Sequence, residues 1–185
     1  FEVTIPEGSN RWDIARILEE QQILPAARFL EATADATLVR DLAPGASSLE
    51  GFLFPATYRF PRRVSPLSVA TLMTKRFRQA WRDAKPPTGA NVLRVLTLAS
   101  LVEKETGVAD ERGLVASVFE NRLAKRMRLE CDPTVIYAAL LENRYRGKIF
   151  RSDLDREHPY NTYRVTGLPP GPIANPGLRS LEAAL

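Results

Sequence analysis

The chain of 185 residues reads as an α+β fold, mainly helical with a few strands. It divides into a small unit over residues 1–43 and a larger one over residues 44–185. Three observations predict this. Apolar residues recur at helical spacing in several separate runs, strand-like alternation is confined to short stretches, and proline and glycine clusters punctuate the rest.

Taken in order, Phe1-Glu2-Val3-Thr4-Ile5 alternates as a strand does. Ser9 or Asn10 caps a helix that carries Trp12, Ile14, Ala15, Ile17 and Leu18. A second short helix is predicted over Ala26 to Ala34. A strand–helix–helix unit of about 40 residues is small for independent stability, so it needs a neighbour to pack on. Asp41 to Ser47 reads as a connector. Leu49 to Phe60 is aromatic-rich and partly extended, and Pro55 argues there for an edge or a bend. A helix follows from about Ser65 to Arg82, with Leu67, Ala70, Leu72, Met73, Phe77 and Trp81 on its apolar side. Pro86, Pro87 and Gly89 break the chain before the next helix. That helix is apolar nearly all round: from Val92 to Val102 only Arg94, Thr97 and Ser100 interrupt it. Asp110 then caps a helix with Leu114, Val115, Val118, Phe119 and Leu123 on one face. Asp132-Pro133 reads as an N-cap and a first-turn proline, opening a helix through Ile136 and Leu140. Ser152 starts one further turn. From Glu157 to Gly177 the chain is rich in proline and glycine, a shaped loop.

Composition excludes several function classes. Hydrophobic residues are 44% and charged residues 26%, as in ordinary globular domains. No stretch approaches the roughly 18 unbroken apolar residues of a membrane span. The chain has no initiator Met and opens inside a strand-like run, so we expect a trimmed piece whose signal or anchor lies outside it. The net charge of +4 suits an anionic polymer. Basic residues cluster in Arg59 to Arg63 and in Lys75, Arg76, Arg78, Arg82 and Lys85. No aromatic stacking platform accompanies them, so they read as a solvated face and not a nucleic-acid surface. Cys131 is the sole cysteine, which rules out an internal disulfide. With His158 as the sole histidine, no His/Cys zinc site is indicated, and no cofactor.

The residues that invite chemistry are Glu103 and Glu105, set at the end of the most apolar helix. Neighbours on a helix lie three or four residues apart. For Glu105 these are Leu101, Val102, Val108 and Ala109; for Glu103 they are Ala99, Ser100, Thr106 and Gly107. The two carboxylates are roughly 200° apart around the axis, so they do not share one cleft. The spacing therefore predicts that Glu105 lies on the apolar face, with Gly107 ending the helix. Apolar surroundings and a helix C-terminus both favour a protonated carboxylic acid, the form general-acid chemistry needs. The alternative is a glutamate paired with a buried arginine or one at a solvated helix end. In the proline-rich loop, Tyr160, Asn161 and Tyr163 suit a sugar, whose apolar faces meet rings and whose hydroxyls meet amides. The same loop also reads as a structural turn holding two helices together.

Several motifs, in order, resemble one family. Leu98-Ala99-Ser100-Leu101-Val102-Glu103-Lys104-Glu105-Thr106 resembles the signature of the MltG/YceG-like endolytic murein transglycosylases. So do Val115 to Leu123, Asp132-Pro133-Thr134-Val135-Ile136-Tyr137, Tyr160-Asn161-Thr162-Tyr163 and Gly167 to Ile173. Glu50-Gly51-Phe52-Leu53-Phe54-Pro55 resembles an upstream motif of the same family. Before Asp132 the relatives often carry Gln-Thr, where this chain has Glu130-Cys131.

The resemblance implies a lysozyme-like catalytic domain over 44–185, ending short of the family's usual C-terminus, and a LysM-like α/β subdomain over 1–43. It implies that Glu105 is the catalytic acid. The implied reaction cuts the glycan strand between N-acetylmuramic acid and N-acetylglucosamine without water, leaving 1,6-anhydro ends and terminating elongation. The implied setting is the bacterial inner membrane: a single N-terminal anchor, the catalytic domain on the periplasmic or outer side, and penicillin-binding glycan polymerases as partners. We place Glu103, Asn121, Asp132, Tyr160, Asn161 and Tyr163 on the substrate side. Glu103 orients the site or bridges to the core, and Asn121 ties the next helix to the catalytic turn. Asp132 is either a helix cap or a sugar ligand. A muramidase that uses water, with Glu130 or Asp132 as second carboxylate, and a non-catalytic glycan-binding module are the competing readings.

Overall fold

The computed structural model describes residues 1–185. The two strands, β1 (Glu2–Thr4) and β2 (Thr57–Arg59), pair antiparallel with Val3 opposite Tyr58. Between them the chain forms α1 (Arg11–Glu20), α2 (Ala26–Thr33) and a 3-10 turn at Thr37–Val39. Asn10 caps α1 reciprocally: its side chain accepts from the Asp13 N–H, and Asp13 accepts from the Asn10 N–H. The short unit is thus closed by a strand well beyond residue 43. One core of 37 buried side chains runs from Val3 to Ala184 and crosses that boundary.

Helix α3 (Pro66–Asp83) starts at a Ser65 cap and buries Val69, Ala70, Met73, Phe77 and Trp81. Helix α4 (Val92–Glu105) is the central rod, with Val95 to Val102 all buried. Helix α5 (Arg112–Ala124) departs from the sequence reading. It follows a 3-10 turn at Ala109–Glu111, and Asp110 does not cap it. Its buried stripe is Arg112, Ala116 and Phe119, at i, i+4 and i+7, while Leu114 is 68% exposed and Val118 47%. The five-residue apolar face is too wide for the narrow seam α5 makes with its neighbours. Helix α6 (Asp132–Leu141) has Cys131 as its N-cap residue; Asp132 is the first helical residue and not the cap. After α7 (Arg151–Leu154) and the proline-rich loop comes α8 (Leu178–Ala184), which packs on α4 and α5. No helix is long and apolar enough to cross a membrane.

One glycine fixes how the loop meets the rod. Gly51 has φ +88, and a Cβ there would lie 2.5 Å from Pro172 Cγ and 2.9 Å from Leu96. Only glycine accepts both the backbone shape and the approach. Ser100, fully buried on α4, accepts from the Ile173 N–H at 3.1 Å and donates to the Thr97 carbonyl. The proline-rich loop is thereby pinned along the rod that carries the two glutamates.

Candidate active site at the end of the central helix

Helix α4 ends at Glu105, with Thr106 extended behind it as the C-cap, one residue before the glycine expected to stop it. The two glutamates diverge as their spacing requires, but the burial is reversed. Glu103 is the buried one, its side chain 5% exposed. Glu105 is exposed. The reversal has a physical cause in α8, which the apolar spacing of α4 alone does not reveal.

Glu103 is fully engaged by the protein. One oxygen accepts from Arg112 at 3.1 Å; the other accepts from Ser180 Oγ at 2.7 Å and from the Gly177 N–H at 2.9 Å. Arg112 also donates to Ser180 Oγ at 2.9 Å. The Glu7 carboxylate closes the cluster 3.9 Å from Arg112. Burial, then the charge of Glu103, push the Glu7 carboxyl above its ordinary range. Glu103 therefore clasps α8 and α5 to α4, a bridge to the core.

Glu105 faces the start of α6 and receives one bond, from Cys131 Sγ at 3.6 Å. Cys131 is 2% exposed. Burial, then the neighbouring Glu105 charge, push its thiol up, so it stays a weak neutral donor. The next residue, Asp132, accepts from Tyr163 Oη at 2.5 Å. That bond first, and burial second, push the Tyr163 phenol up to about 12. Two threonines lock this corner: Thr162 Oγ1 accepts from the Cys131 N–H at 3.0 Å and meets Thr134 Oγ1 at 2.9 Å. Glu130 leans away toward Arg122 at 3.3 Å.

The other predicted residues fall in different places. Asn161 is 1% exposed. Its amide donates to the carbonyls of Asp153, Leu154 and Arg156, and its oxygen accepts from the Tyr163 N–H at 3.0 Å. It is the keystone of its loop and aims Tyr163. Tyr160 is half-buried, its ring 5.0 Å from Tyr137, and burial pushes its phenol up to about 12. Asn121 is exposed on α5.

Behind the corner lies a buried hub that the sequence reading named only as a motif. Glu50, 2% exposed, accepts from the Arg11 N–H at 3.1 Å, Tyr137 Oη at 3.1 Å and Asn175 Nδ2 at 2.9 Å. Asn175 in turn accepts from the Leu53 N–H at 2.9 Å and donates to the Ser9 carbonyl at 2.8 Å. Burial pushes the Glu50 carboxyl up to about 7, against the pull of Arg11 and these donors. The Arg11 guanidinium donates to the Thr33 carbonyl, and its Nε, 4.0 Å from Glu50, is buried without a bond. The signal for Glu50 was a charged residue opening an otherwise apolar, aromatic run. Arg112 carried no such signal, because its partner Ser180 lies 68 residues away.

An open cleft adjoins this corner. It is a cavity of about 500 Å³ lined by α1 and α6, with Lys104 and Pro133 in its wall. These residues are the direct chain neighbours of Glu105 and Asp132.

Comparison with known proteins matches the whole of the chain. The YceG-like family matches the chain from residue 1 to residue 185. A Bacillus subtilis (strain 168) protein named endolytic murein transglycosylase is 34% identical over 203 residues, covering 100% of this chain and 56% of its own length. A Streptococcus pneumoniae serotype 2 (strain D39) protein of the same name is 32% identical, covering 99% of this chain and 38% of its own. The 2.6 Å crystal structure of a yceG-like protein from Listeria monocytogenes superposes with a TM-score of 0.82 at 39% identity, over 99% of this chain and 65% of that one. The chain thus spans less than two thirds of each of these relatives. With a match over its whole length and the same fold in a 39% identical structure, the chain belongs to the YceG-like family.

Proposed function

We propose that this chain carries the catalytic part of an endolytic peptidoglycan lytic transglycosylase. It cleaves the bond between N-acetylmuramic acid and N-acetylglucosamine and ends the growth of nascent strands. The observation that carries the reading is the freedom of Glu105. It is an exposed carboxylate with one weak donor, its chain neighbour Lys104 lining an open cleft, in a family whose relatives bear the transglycosylase name.

In this reading Glu105 gives its proton to the bridging glycosidic oxygen as the C1–O bond breaks. The 6-hydroxyl of the muramoyl residue attacks C1 and returns its proton to the carboxylate. The product is a 1,6-anhydro ring and no water is consumed. One carboxyl serves twice because the nucleophile belongs to the substrate, which differs from the two-carboxylate scheme of ordinary glycosidases. Tyr163 and Asp132 form the polar wall beside Glu105. Asn161 positions that wall from behind, and Glu103 fixes the helix end.

The finer parts of the reading go with it. The antiparallel return of β2 supports a LysM-like subdomain at the N-terminal end, followed by a lysozyme-like catalytic domain. An N-terminal membrane anchor, a periplasmic or outer-surface location and a glycan polymerase partner belong to the same proposal.

Purified sacculi treated with the protein and with its Glu105→Gln variant test it, the soluble fragments being read by mass spectrometry. The expected result is 1,6-anhydro ends from the parent and a loss of about 10²- to 10⁴-fold in the variant. Reducing ends would instead assign the hydrolytic muramidase with Glu130 or Asp132 as second carboxylate. Equal release by both proteins would remove Glu105 from the chemistry.

A further inference from the structure

The cleft between α1 and α6 has the features of a designed sugar site, and none of them is used by the corner at Glu105. On α6 its wall is Pro133, Ile136 and Leu140, at i, i+3 and i+7. At 1.5 Å per residue this stripe runs about 10 Å along the helix axis, the length of one disaccharide. It begins beside Asp132 and leads away from Glu105. The facing wall is one stripe of α1 carrying Trp12 and Arg16. Trp12 is half-buried and rigidly set, with its edge against Tyr137 at 5.6 Å and the Arg11 guanidinium 5.3 Å from its ring. Tyr145, 37% exposed, lines the cleft as well. Two aromatic rings in the wall of the cleft supply stacking surface for sugar rings.

The charges complement a glycan that bears carboxylates. Arg16 and Lys104 both line the cleft. Arg16 is paired only with Glu20, and both side chains are more than half exposed, a pair that costs little to open. Lys104 spends one donor on the Gly8 carbonyl at 3.3 Å and keeps two. The single acid of the cleft, Asp13, is engaged by the Asn10 N–H.

We infer that the α1–α6 cleft is a subsite that holds one disaccharide unit of the strand next to the scissile bond. Trp12 and Tyr145 stack on the sugars, and Arg16 and Lys104 hold carboxylates of the peptide stem. The inference rests on the glycan-cleaving reading and names where the substrate lies within it.

The test is calorimetric titration of the Glu105→Gln protein, which binds without turnover. Two probes are used: an N-acetylglucosaminyl-N-acetylmuramoyl tripeptide, which bears carboxylates, and the disaccharide of two N-acetylglucosamine units, which bears none. Trp12→Ala is expected to weaken both by about tenfold. Tyr145→Ala, which removes an exposed ring and leaves the core intact, weakens both in the same direction. Arg16→Ser weakens only the peptide-bearing probe. Arg82→Ser, on α3 and outside the cleft, changes neither. Unaltered binding in the Tyr145 and Trp12 variants overturns the subsite; equal effects of Arg16→Ser on both probes overturn the carboxylate contact. If the probes bind as expected while Glu105→Gln still cleaves sacculi, the subsite stands and the catalytic reading fails. If Glu105→Gln is inactive and the cleft variants bind normally, the reverse holds.

Discussion

Glu103 and Glu105 leave the last turn of α4 in opposite directions and meet opposite surroundings. Glu103 is enclosed by Arg112, Ser180 and the Gly177 N–H. Glu105 stands exposed with a single thiol for company. The difference teaches that burial and availability are separate properties. A carboxylate with every lone pair engaged holds helices together, whereas one with nothing strong to hold can exchange a proton with a ligand. A motif with two acids can thus divide structural and chemical labour two residues apart.

The contrast breaks or holds first on stability. Glu103→Ala leaves the buried Arg112 guanidinium, 9% exposed, without its main partner. The expected loss is about 3–5 kcal/mol in denaturant unfolding. Glu105→Ala is expected to change stability by no more than about 0.5 kcal/mol. Similar costs for the two variants would erase the distinction.

A second test extends it to the other enclosed acid, Glu50. Its carboxyl titrates near 7 in the folded protein against an ordinary 4.5. The folded state therefore keeps a proton that the unfolded chain has already released. The contribution is fully present below pH 4.5 and is lost as pH rises through about 7, on the order of a few kcal/mol in all. Unfolding free energies across that window should fall with rising pH in the parent and lie flatter in Glu50→Gln. An equally steep slope in the variant would place the titrating group elsewhere.

The smallest effect belongs to the open side. Tyr163→Phe removes the bond to a half-exposed Asp132 and should cost at most about 1 kcal/mol. In Asp132→Asn the Tyr163 phenol should titrate back toward its ordinary 10, read by ultraviolet absorbance in alkaline buffer. A phenol still ionising near 12 would show that burial, not Asp132, holds it.

Much of the frame was legible in the sequence. The cap at Ser65, the apolar rod from Val92 and the proline opening α6 all announce themselves through local chemistry. What stayed hidden depends on partners far along the chain. Helix α8 has only seven residues, too few to show a period, yet Ser180 on it decides which glutamate is buried. The face of α5 was read too wide because Leu114 and Val118 are apolar without being covered. At the site, the apolar-face argument for Glu105 fails on its exposure. Asn161 illustrates the same limit: an amide suited to sugars is equally suited to three backbone carbonyls.

Asn175 carries a consequence for how the molecule comes into being. Its amide joins Ser9 and Glu50, partners 166 and 125 positions earlier. A chain emerging from the ribosome holds the Glu50 carboxylate without its amide until Asn175 has been synthesised. Such distant closures are slow, because a long loop must be ordered before the contact rewards it. The first strand and its two helices therefore complete this contact only once the proline-rich loop has been made, although they precede it along the chain.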